Sequence, residues 1–161
     1  MMGKDYAAYS YWLETCGDDL TPRPALDGSV DVDVAILGAG YTGLWTAYYL
    51  LERDPSLKVA ILEKEIAGFG ASGRNGGGLG NRFPVGLRRM ADLFGRQAAI
   101  DLQAALNTVV DEIAGVAERE GFAMDYVRGG YTRLARSLYQ LDALRSEQRT
   151  LEEFGFGDSA Q

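Results

Sequence analysis

The sequence contains no histidine, a single cysteine and no long uninterrupted apolar run. Without histidine, the commonest metal ligand and the usual acid–base group near neutral pH are missing, so a bound cofactor is the natural carrier of any chemistry. Cys16 cannot form an internal disulfide, which favours a reducing compartment. No run approaches the roughly 18 to 20 apolar residues that cross a bilayer, and the N-terminus lacks the apolar core of a signal peptide. We therefore expect a cytoplasmic protein with no membrane span and no metal site.

An excess of positive charge is also absent. The 161 residues carry a formal net charge of -7, and the lysines and arginines are scattered. Binding to nucleic acid requires a basic stripe that displaces counterions, so we expect a small-molecule partner and no nucleic acid. The 47% hydrophobic and 24% charged residues are typical of a globular chain, and the length is that of one ordinary domain.

What the sequence does contain is a series of segments with regular apolar spacing, which predicts an α/β fold. Tyr6, Tyr9 and Leu13 indicate a short N-terminal helix. The other predicted elements are strands at 30–36 and 57–62, helices at 42–53, 84–94 and 96–120, two short strands at 124–127 and 131–135, and a helix at 137–154.

The most informative segment is the glycine turn between the first predicted strand and the helix that follows it. Gly38, Gly40 and Gly43 form a GxGxxG pattern at this junction. Gly38 permits a tight turn, Gly40 lets a pyrophosphate approach the backbone, and Gly43 lets the helix pack closely on the strand. The free N–H groups and the positive end of the helix dipole then face the phosphates. This pattern predicts a dinucleotide site.

Glu63 ends the second predicted strand and follows Gly43 by twenty residues. This is the spacing expected for an acid that binds ribose hydroxyls, and a carboxylate there favours FAD or NAD over NADP. The structural alternative is a chance combination of a glycine turn and a surface glutamate. The predicted strand, the predicted helix and Glu63 all stand at the positions expected for a dinucleotide site, which argues against a chance combination.

A second glycine-rich segment, 68–78, follows Glu63 where a nicotinamide-binding domain of the usual kind continues into another helix. The backbone of this segment can follow an extended ligand, with Arg74 neutralising a phosphate and Ser72 and Asn75 hydrogen-bonding to it. A flexible surface loop explains the same composition equally well. The residues alone therefore leave both readings open.

Three strings in the chain resemble those of FAD-dependent amine and amino-acid oxidoreductases. They are the glycine turn through Leu44, the triplet Leu62-Glu63-Lys64, and the glycine-rich run 68–77. The resemblance is to the D-amino-acid oxidase-like superfamily, in particular to its gamma-glutamylputrescine oxidoreductase branch. The N-terminal run 11–13 and the stretch 125–130 are also similar to that branch, the latter to its entry into the substrate domain.

The resemblance implies a Rossmann-like FAD-binding fold and an enzyme that oxidises a C–N bond of an amine or amino acid, with FAD as the hydride acceptor. It also implies the residues that contact the cofactor. These are Gly38, Ala39, Gly40, Tyr41, Thr42 and Gly43 around the pyrophosphate, Glu63 and Lys64 at the ribose and adenine, and Ala71, Ser72, Arg74, Asn75, Gly76 and Gly77 toward the flavin. It identifies no catalytic residue in this chain.

The resemblance further implies three parts: an N-terminal helix and arm (1–29), a Rossmann-like FAD-binding portion (30–122) and the beginning of a substrate domain (123–161). Proteins of this family are much longer. We therefore expect the N-terminal portion of such an enzyme, inactive alone and poor at retaining FAD. The alternatives are a truncated, non-catalytic flavoprotein fragment and a portion of an NAD-binding dehydrogenase.

Overall fold

The computed structural model describes residues 4–130 and 132–159. The chain folds as two compact units, Met1–Gly78 and Leu79–Gln161. This division follows backbone proximity. The predicted partition into an N-terminal arm, an FAD-binding portion and a substrate domain concerns function and remains a prediction.

The first unit begins with two short helical segments. A 3-10 helix covers Tyr6–Tyr9, and the helix α1 covers Tyr11–Thr15. Ser10 separates them because its backbone is extended and its Oγ accepts the N–H of Leu13 at 3.2 Å, which caps α1. The prediction of one continuous N-terminal helix was therefore wrong.

Tyr6 and Leu13 are nevertheless buried as the apolar spacing indicated, and they pack with Ile66 in a small core. Leu20 and Phe69 cover this core in part. The core thus joins the N-terminal segment to the part of the chain that follows the second strand.

A strand–helix–strand unit forms the rest of the first unit. β1 (Val34–Leu37) and β2 (Val59–Leu62) pair in parallel in a two-stranded sheet, and α2 (Tyr41–Arg53) connects them. The described part of the chain is therefore mixed α/β with a small parallel sheet, as predicted.

Both strands are shorter than the predicted 30–36 and 57–62. The carboxylate of Asp33 accepts the N–H of Lys58 at 2.7 Å. In a longer ladder the N–H of Lys58 would donate to a backbone carbonyl of the neighbouring strand. Here it donates to a side chain instead, so regular strand pairing begins only after Asp33.

The second unit is helical in the part that the structure describes. It contains α3 (Leu87–Phe94), α4 (Arg96–Glu120), α5 (Leu138–Glu153) and a final 3-10 turn at Gly157–Ser159. The predicted helix 96–120 is confirmed at both ends, and Gly121 stops it in the left-handed conformation with a φ of 68°. Ser137 caps α5, so that helix matches its prediction within a residue.

The two strands predicted at 124–127 and 131–135 were wrong in the described residues, which contain no strand between α4 and α5. Tyr131 lies outside the described residues. Val127 is 86% exposed and Leu134 is 83% exposed, so the alternating pattern has no apolar surface to bury. The N–H groups of Met124 and Tyr126 instead bond carbonyls two residues back, in tight local turns.

Candidate functional site

The glycine turn joins β1 to α2 at the carboxyl end of the sheet. Gly38 has a φ of 100°, a value that favours glycine, and its N–H donates to the carbonyl of Leu62 at 2.7 Å. A Cβ on Gly43 would lie 2.1 Å from the carbonyl oxygen of Gly38 and 3.2 Å from Cγ2 of Ile36. Only a residue without a side chain therefore lets α2 approach β1 this closely.

The first turn of α2 offers unsatisfied donors. Gly40 is the N-cap of this helix and supplies no side-chain acceptor. Within residues 4–130 and 132–159, no group accepts the N–H of Thr42 or of Gly43. These N–H groups and the positive end of the helix dipole are suited to an anion.

Ser72 of the glycine loop (residues 68–78) contacts this same helix end. Its Oγ accepts the N–H of Tyr41 at 2.9 Å, and a Cβ on Gly40 would lie 2.9 Å from that oxygen. A second bond runs from the N–H of Gly68 to the carbonyl of Ala39, at 2.9 Å. The structure thus brings together two glycine segments that the sequence separates by about thirty residues.

Glu63 lies beside the turn, at the end of β2. Its Oε2 accepts the N–H of Ala39 at 2.8 Å, and its Oε1 accepts the N–H of Glu65 at 3.0 Å. The N–H of Ala39, followed by that of Glu65, holds the pKa of the Glu63 carboxyl below its usual range. Lys64 follows at an exposed position. The site therefore presents an ionised carboxylate next to the helix end.

The glycine loop is held by its own polar groups. A 3-10 turn covers Ala71–Gly73. The amide of Asn75 donates to the carbonyl of Ser72 at 2.6 Å, and its Oδ1 accepts the N–H of Gly77 at 2.8 Å. Ala71, Gly76 and Gly77 are exposed. The loop thus has a defined shape, with internal bonds that composition alone does not reveal.

Arg74 takes a different place from the one its charge suggests. Its Nε donates to the carbonyl of Phe69 at 2.9 Å, and its guanidinium lies 4.6 Å from the centre of the Phe69 ring. It has no carboxylate partner in the described part of the chain. The charge therefore rests on an aromatic face in a cation–π contact.

The N-terminal segment also reaches this site, a contact that no motif or spacing predicted. The indole Nε1 of Trp12 donates to the carbonyl of Asn75 at 2.8 Å, and the hydroxyl of Tyr6 donates to Oε2 of Glu65 at 2.8 Å. Lys4 forms an ion pair with the same carboxylate at 2.5 Å. The hydrogen bonds from Lys4, then from Tyr6, lower the pKa of Glu65.

Residues 4–130 and 132–159 contain neither a membrane-spanning helix nor a cluster of metal ligands. No helix in these ranges is both long enough and apolar enough to cross a bilayer. The same ranges hold no group of three or more histidine, cysteine, aspartate or glutamate residues arranged to bind a metal ion.

The glycine turn and the glycine loop lie within the region of this chain that is similar to known proteins. A family model described as FAD dependent oxidoreductase matches residues 33–160, beginning at the strand before the glycine turn. The chain is 33% identical over 146 residues to gamma-glutamylputrescine oxidoreductase of Escherichia coli K12, a match that covers 91% of this chain and 34% of that protein.

Two other relatives extend the comparison. The chain is 32% identical to a probable oxidoreductase, OrdL, of Haemophilus influenzae, over 91% of this chain and 33% of that protein. It is 44% identical over 69 residues to thiamine thiazole synthase of Schizosaccharomyces pombe, which covers 43% of this chain and 20% of that protein. No solved structure matches. The chain spans about a third of the length of the first two relatives.

Proposed function

Because this chain belongs to the FAD-dependent oxidoreductase family, we propose that its first unit is part of a Rossmann-like fold and holds the adenosine and pyrophosphate of FAD. One observation carries the proposal. The open N–H groups of Thr42 and Gly43 lie at a helix end that is bonded, through Ser72, to the glycine loop. Backbone N–H groups that can donate to a phosphate thus lie next to a loop whose backbone can contact the rest of an extended ligand.

The glycine turn provides the pyrophosphate contacts in this proposal. Gly40 lets the Ser72 hydroxyl approach the turn, and the first turn of α2 supplies N–H donors and the positive helix end to the pyrophosphate. The proposed pyrophosphate residues are Gly38, Ala39, Gly40, Tyr41, Thr42 and Gly43.

The ribose contact falls to Glu63, with Lys64 beside it. A carboxylate has about four lone-pair sites. Glu63 can therefore keep its bond to the N–H of Ala39 and still accept hydrogen bonds from two ribose hydroxyls. The Glu63 carboxylate is ionised at neutral pH and repels a phosphorylated ribose, which supports FAD over NADP-type nucleotides.

The glycine loop continues this track toward the flavin. Its exposed glycines leave the backbone accessible to a ligand, and the Asn75 amide fixes its curvature through Ser72 and Gly77. The proposed contacts are Ala71, Ser72, Arg74, Asn75, Gly76 and Gly77. For Arg74 to reach a phosphate, its guanidinium must leave the Phe69 ring.

For the whole protein we propose oxidation of a C–N bond in a small amine or amino acid, in the cytoplasm. The name of the Escherichia coli relative, gamma-glutamylputrescine oxidoreductase, supports an amine substrate. FAD, when bound, supplies the hydride acceptor for such a reaction. The described residues contribute binding and orientation, and we assign no catalytic residue among them.

A second candidate is a non-catalytic flavoprotein fragment. It would hold FAD with the same glycine turn and glycine loop, joined through Ser72, without oxidising a substrate. An NAD-binding portion is a weaker alternative, because the family that matches is FAD dependent.

Titration of the purified chain with FAD, ADP and NAD tests the proposal. We expect FAD to bind weakly and to be displaced by ADP, because the contacts lie on the adenosine-pyrophosphate half, and we expect little flavin to survive purification. Stoichiometric flavin absorbance in the purified chain would contradict the expected weak retention. Failure of both FAD and ADP to bind at millimolar concentration would overturn the nucleotide site.

A further inference from the structure

We propose that residues 4–15, here called the N-terminal clasp, hold the glycine loop in its ligand-binding shape, and that Trp12 is the main positioning residue. This inference rests on the proposed function, because it concerns how the same loop comes to fit FAD. It assigns a cofactor-related role to a segment outside the dinucleotide motif.

The base of the clasp is fixed at Glu65. The hydroxyl of Tyr6 donates to one carboxylate oxygen at 2.8 Å, and the ammonium of Lys4 pairs with the other at 2.5 Å. The Glu65 side chain is only 15% exposed. Because this carboxylate directly follows the Glu63–Lys64 pair, the clasp is anchored at the end of β2.

The middle of the clasp is aromatic. The rings of Tyr6 and Tyr9 meet the ring of Phe69 edge to face, with centroids 5.5 Å and 5.2 Å away. Arg74 lies on the same ring. Phe69 and Arg74 of the glycine loop therefore contact the clasp independently of Trp12. The edge-to-face ring pairs stabilise this contact beyond the effect of the area they bury.

Trp12 forms the tip of the clasp. Its Nε1 donates to the carbonyl of Asn75 at 2.8 Å. A Cβ on Gly77 would lie 2.6 Å from Cζ2 of Trp12, so the indole rests directly on the Gly77 backbone. The φ of Gly77 is +73°, a conformation that other residues rarely adopt. The indole and this glycine thus fit each other.

Hydrogen bonds connect this tip to the anion-binding helix end. Asn75, which receives the Trp12 bond on its carbonyl, donates through its side chain to the carbonyl of Ser72 at 2.6 Å. Ser72 in turn accepts the N–H of Tyr41 through its Oγ. A displacement of Trp12 is therefore passed to the first turn of α2 through two intervening residues.

The clasp and the loop also depend on each other for order. The five residues of α1 are far fewer than the roughly 12 to 15 that make an isolated helix even marginally stable. α1 therefore owes its order to its cap and to the contacts of Leu13 and Trp12 with the rest of the unit. Loss of the indole should loosen both partners.

The two tryptophans of the chain allow a clean experiment. In Trp45→Phe, Trp12 is the sole indole and reports on the clasp, and residue 45, which contacts Tyr48 and Tyr49 on α2, keeps an aromatic ring. Trp12→Phe keeps an aromatic ring but removes the N–H donor, and Trp12→Ala removes both. Acrylamide quenching of the Trp12 emission and hydrogen exchange at residues 75–78 are measured first without nucleotide.

FAD is then titrated into each variant. We expect Trp12→Phe to weaken FAD binding about 3- to 10-fold, the range for one lost hydrogen bond, and Trp12→Ala to weaken it further. Trp45→Phe should bind as the unchanged chain does, and its single indole should change emission as FAD binds. Exchange at residues 75–78 should accelerate and FAD affinity should fall together in the two Trp12 variants, and neither should change in Trp45→Phe.

The outcomes separate this inference from the proposed function. If no variant binds FAD but exchange at 75–78 accelerates on loss of Trp12, the clasp stands as a structural contact and its role toward the cofactor is overturned together with the site. If FAD binds equally to Trp12→Ala and Trp45→Phe, the proposed site stands and the clasp is overturned. Unchanged exchange in Trp12→Ala would also overturn it.

Discussion

The carboxylate of Glu63 accepts a hydrogen bond from the backbone N–H of Ala39 at 2.8 Å, which joins the end of β2 to the glycine turn after β1. The second carboxylate oxygen accepts the N–H of Glu65. Both bonds are strongest while Glu63 is ionised. Protonation of this one side chain therefore weakens the turn and the proposed ribose contact together.

A dependence of stability on acid pH follows from this geometry. Because the folded-state pKa of Glu63 is lowered by the Ala39 N–H, its contribution is complete above the unfolded value of about 4.3 and is lost as the pH falls through the folded value. Glu63→Gln should flatten the change in unfolding free energy between about pH 5 and pH 3. Urea unfolding at a series of pH values measures this.

The control for that change is Glu52→Gln on the exposed side of α2, which removes the same charge. The hydrogen bond from Lys4 also lowers the pKa of Glu65. The loss of unfolding free energy at acid pH should therefore be smaller in Glu63→Gln but still present. Superimposable pH profiles for Glu63→Gln and the unchanged chain would show that the Ala39 contact contributes nothing to folding.

Gly40→Ala should separate binding from folding. The backbone of Gly40 has a φ of -87° and a ψ of -177°, which alanine adopts freely, and the nearest neighbour of its Cβ is the Ser72 hydroxyl. The methyl group would lie 2.9 Å from the Ser72 hydroxyl, which must shift and lose its bond to the Tyr41 N–H. We expect this to cost about 1 kcal/mol in unfolding free energy, but at least about 10-fold in FAD affinity, because the glycine loop is then displaced from the helix end.

Fluorescence titration with FAD and thermal unfolding of the same sample check this prediction. Gly86→Ala is the matched control, since Gly86 is also the N-cap of a helix with extended backbone, a Cβ there meets nothing within 4 Å, and it lies outside the proposed contacts. FAD affinity of Gly40→Ala equal to that of the unchanged chain would contradict a pyrophosphate at this turn.

Gly43→Ala should act on folding itself. Its Cβ would lie 2.1 Å from the Gly38 carbonyl, so α2 must move away from β1. We expect a loss of about 2 to 3 kcal/mol in unfolding free energy, as for overpacking of a closed interface. Chemical denaturation followed by circular dichroism measures it.

Gly115→Ala is the matched control, because Gly115 also lies inside a helix, α4, and its Cβ would have only an ordinary contact at 3.5 Å with Arg119. There, replacement of a helical glycine should stabilise the chain by up to about 1 kcal/mol. Equal effects of the two substitutions would contradict a specific helix–strand contact at Gly43.

The parts of the fold that were predicted correctly have local causes. The glycine turn, α2 and α4 are specified by residues next to each other in the chain, including the left-handed stop at Gly121. The strands predicted at 124–127 and 131–135 failed because alternation predicts a strand only where a partner strand and an apolar surface exist. Val127 and Leu134 have neither among the described residues.

The contacts of the clasp could not be predicted for a different reason. Trp12 and Asn75 are 63 residues apart, and Tyr6 and Glu65 are 59 apart. Nothing in the spacing of either segment indicates the other. The contact of the Arg74 guanidinium with the Phe69 ring was likewise not predicted, because it depends on the folded shape of the loop.

A pair of equivalent helix caps tests whether the proposed site depends on the clasp. Ser10 caps α1 and Ser137 caps α5, and each Oγ accepts a backbone N–H at 3.2 Å. Loss of such a cap costs about 1 kcal/mol. Ser10→Ala should accelerate hydrogen exchange in α1 and weaken FAD binding by up to about 5-fold, because the lost free energy is taken from the clasp.

Ser137→Ala should accelerate exchange in α5 to a similar extent without changing FAD affinity, because its cap belongs to the second unit and every proposed contact lies in the first. The comparison holds the chemistry of the substitution constant and changes only its location. If both variants lose FAD affinity equally, general destabilisation explains the loss. If only Ser10→Ala loses affinity, α1 supports the cofactor site. The hydrogen bond from Trp12 on α1 to the Asn75 carbonyl of the glycine loop is the contact that explains this effect.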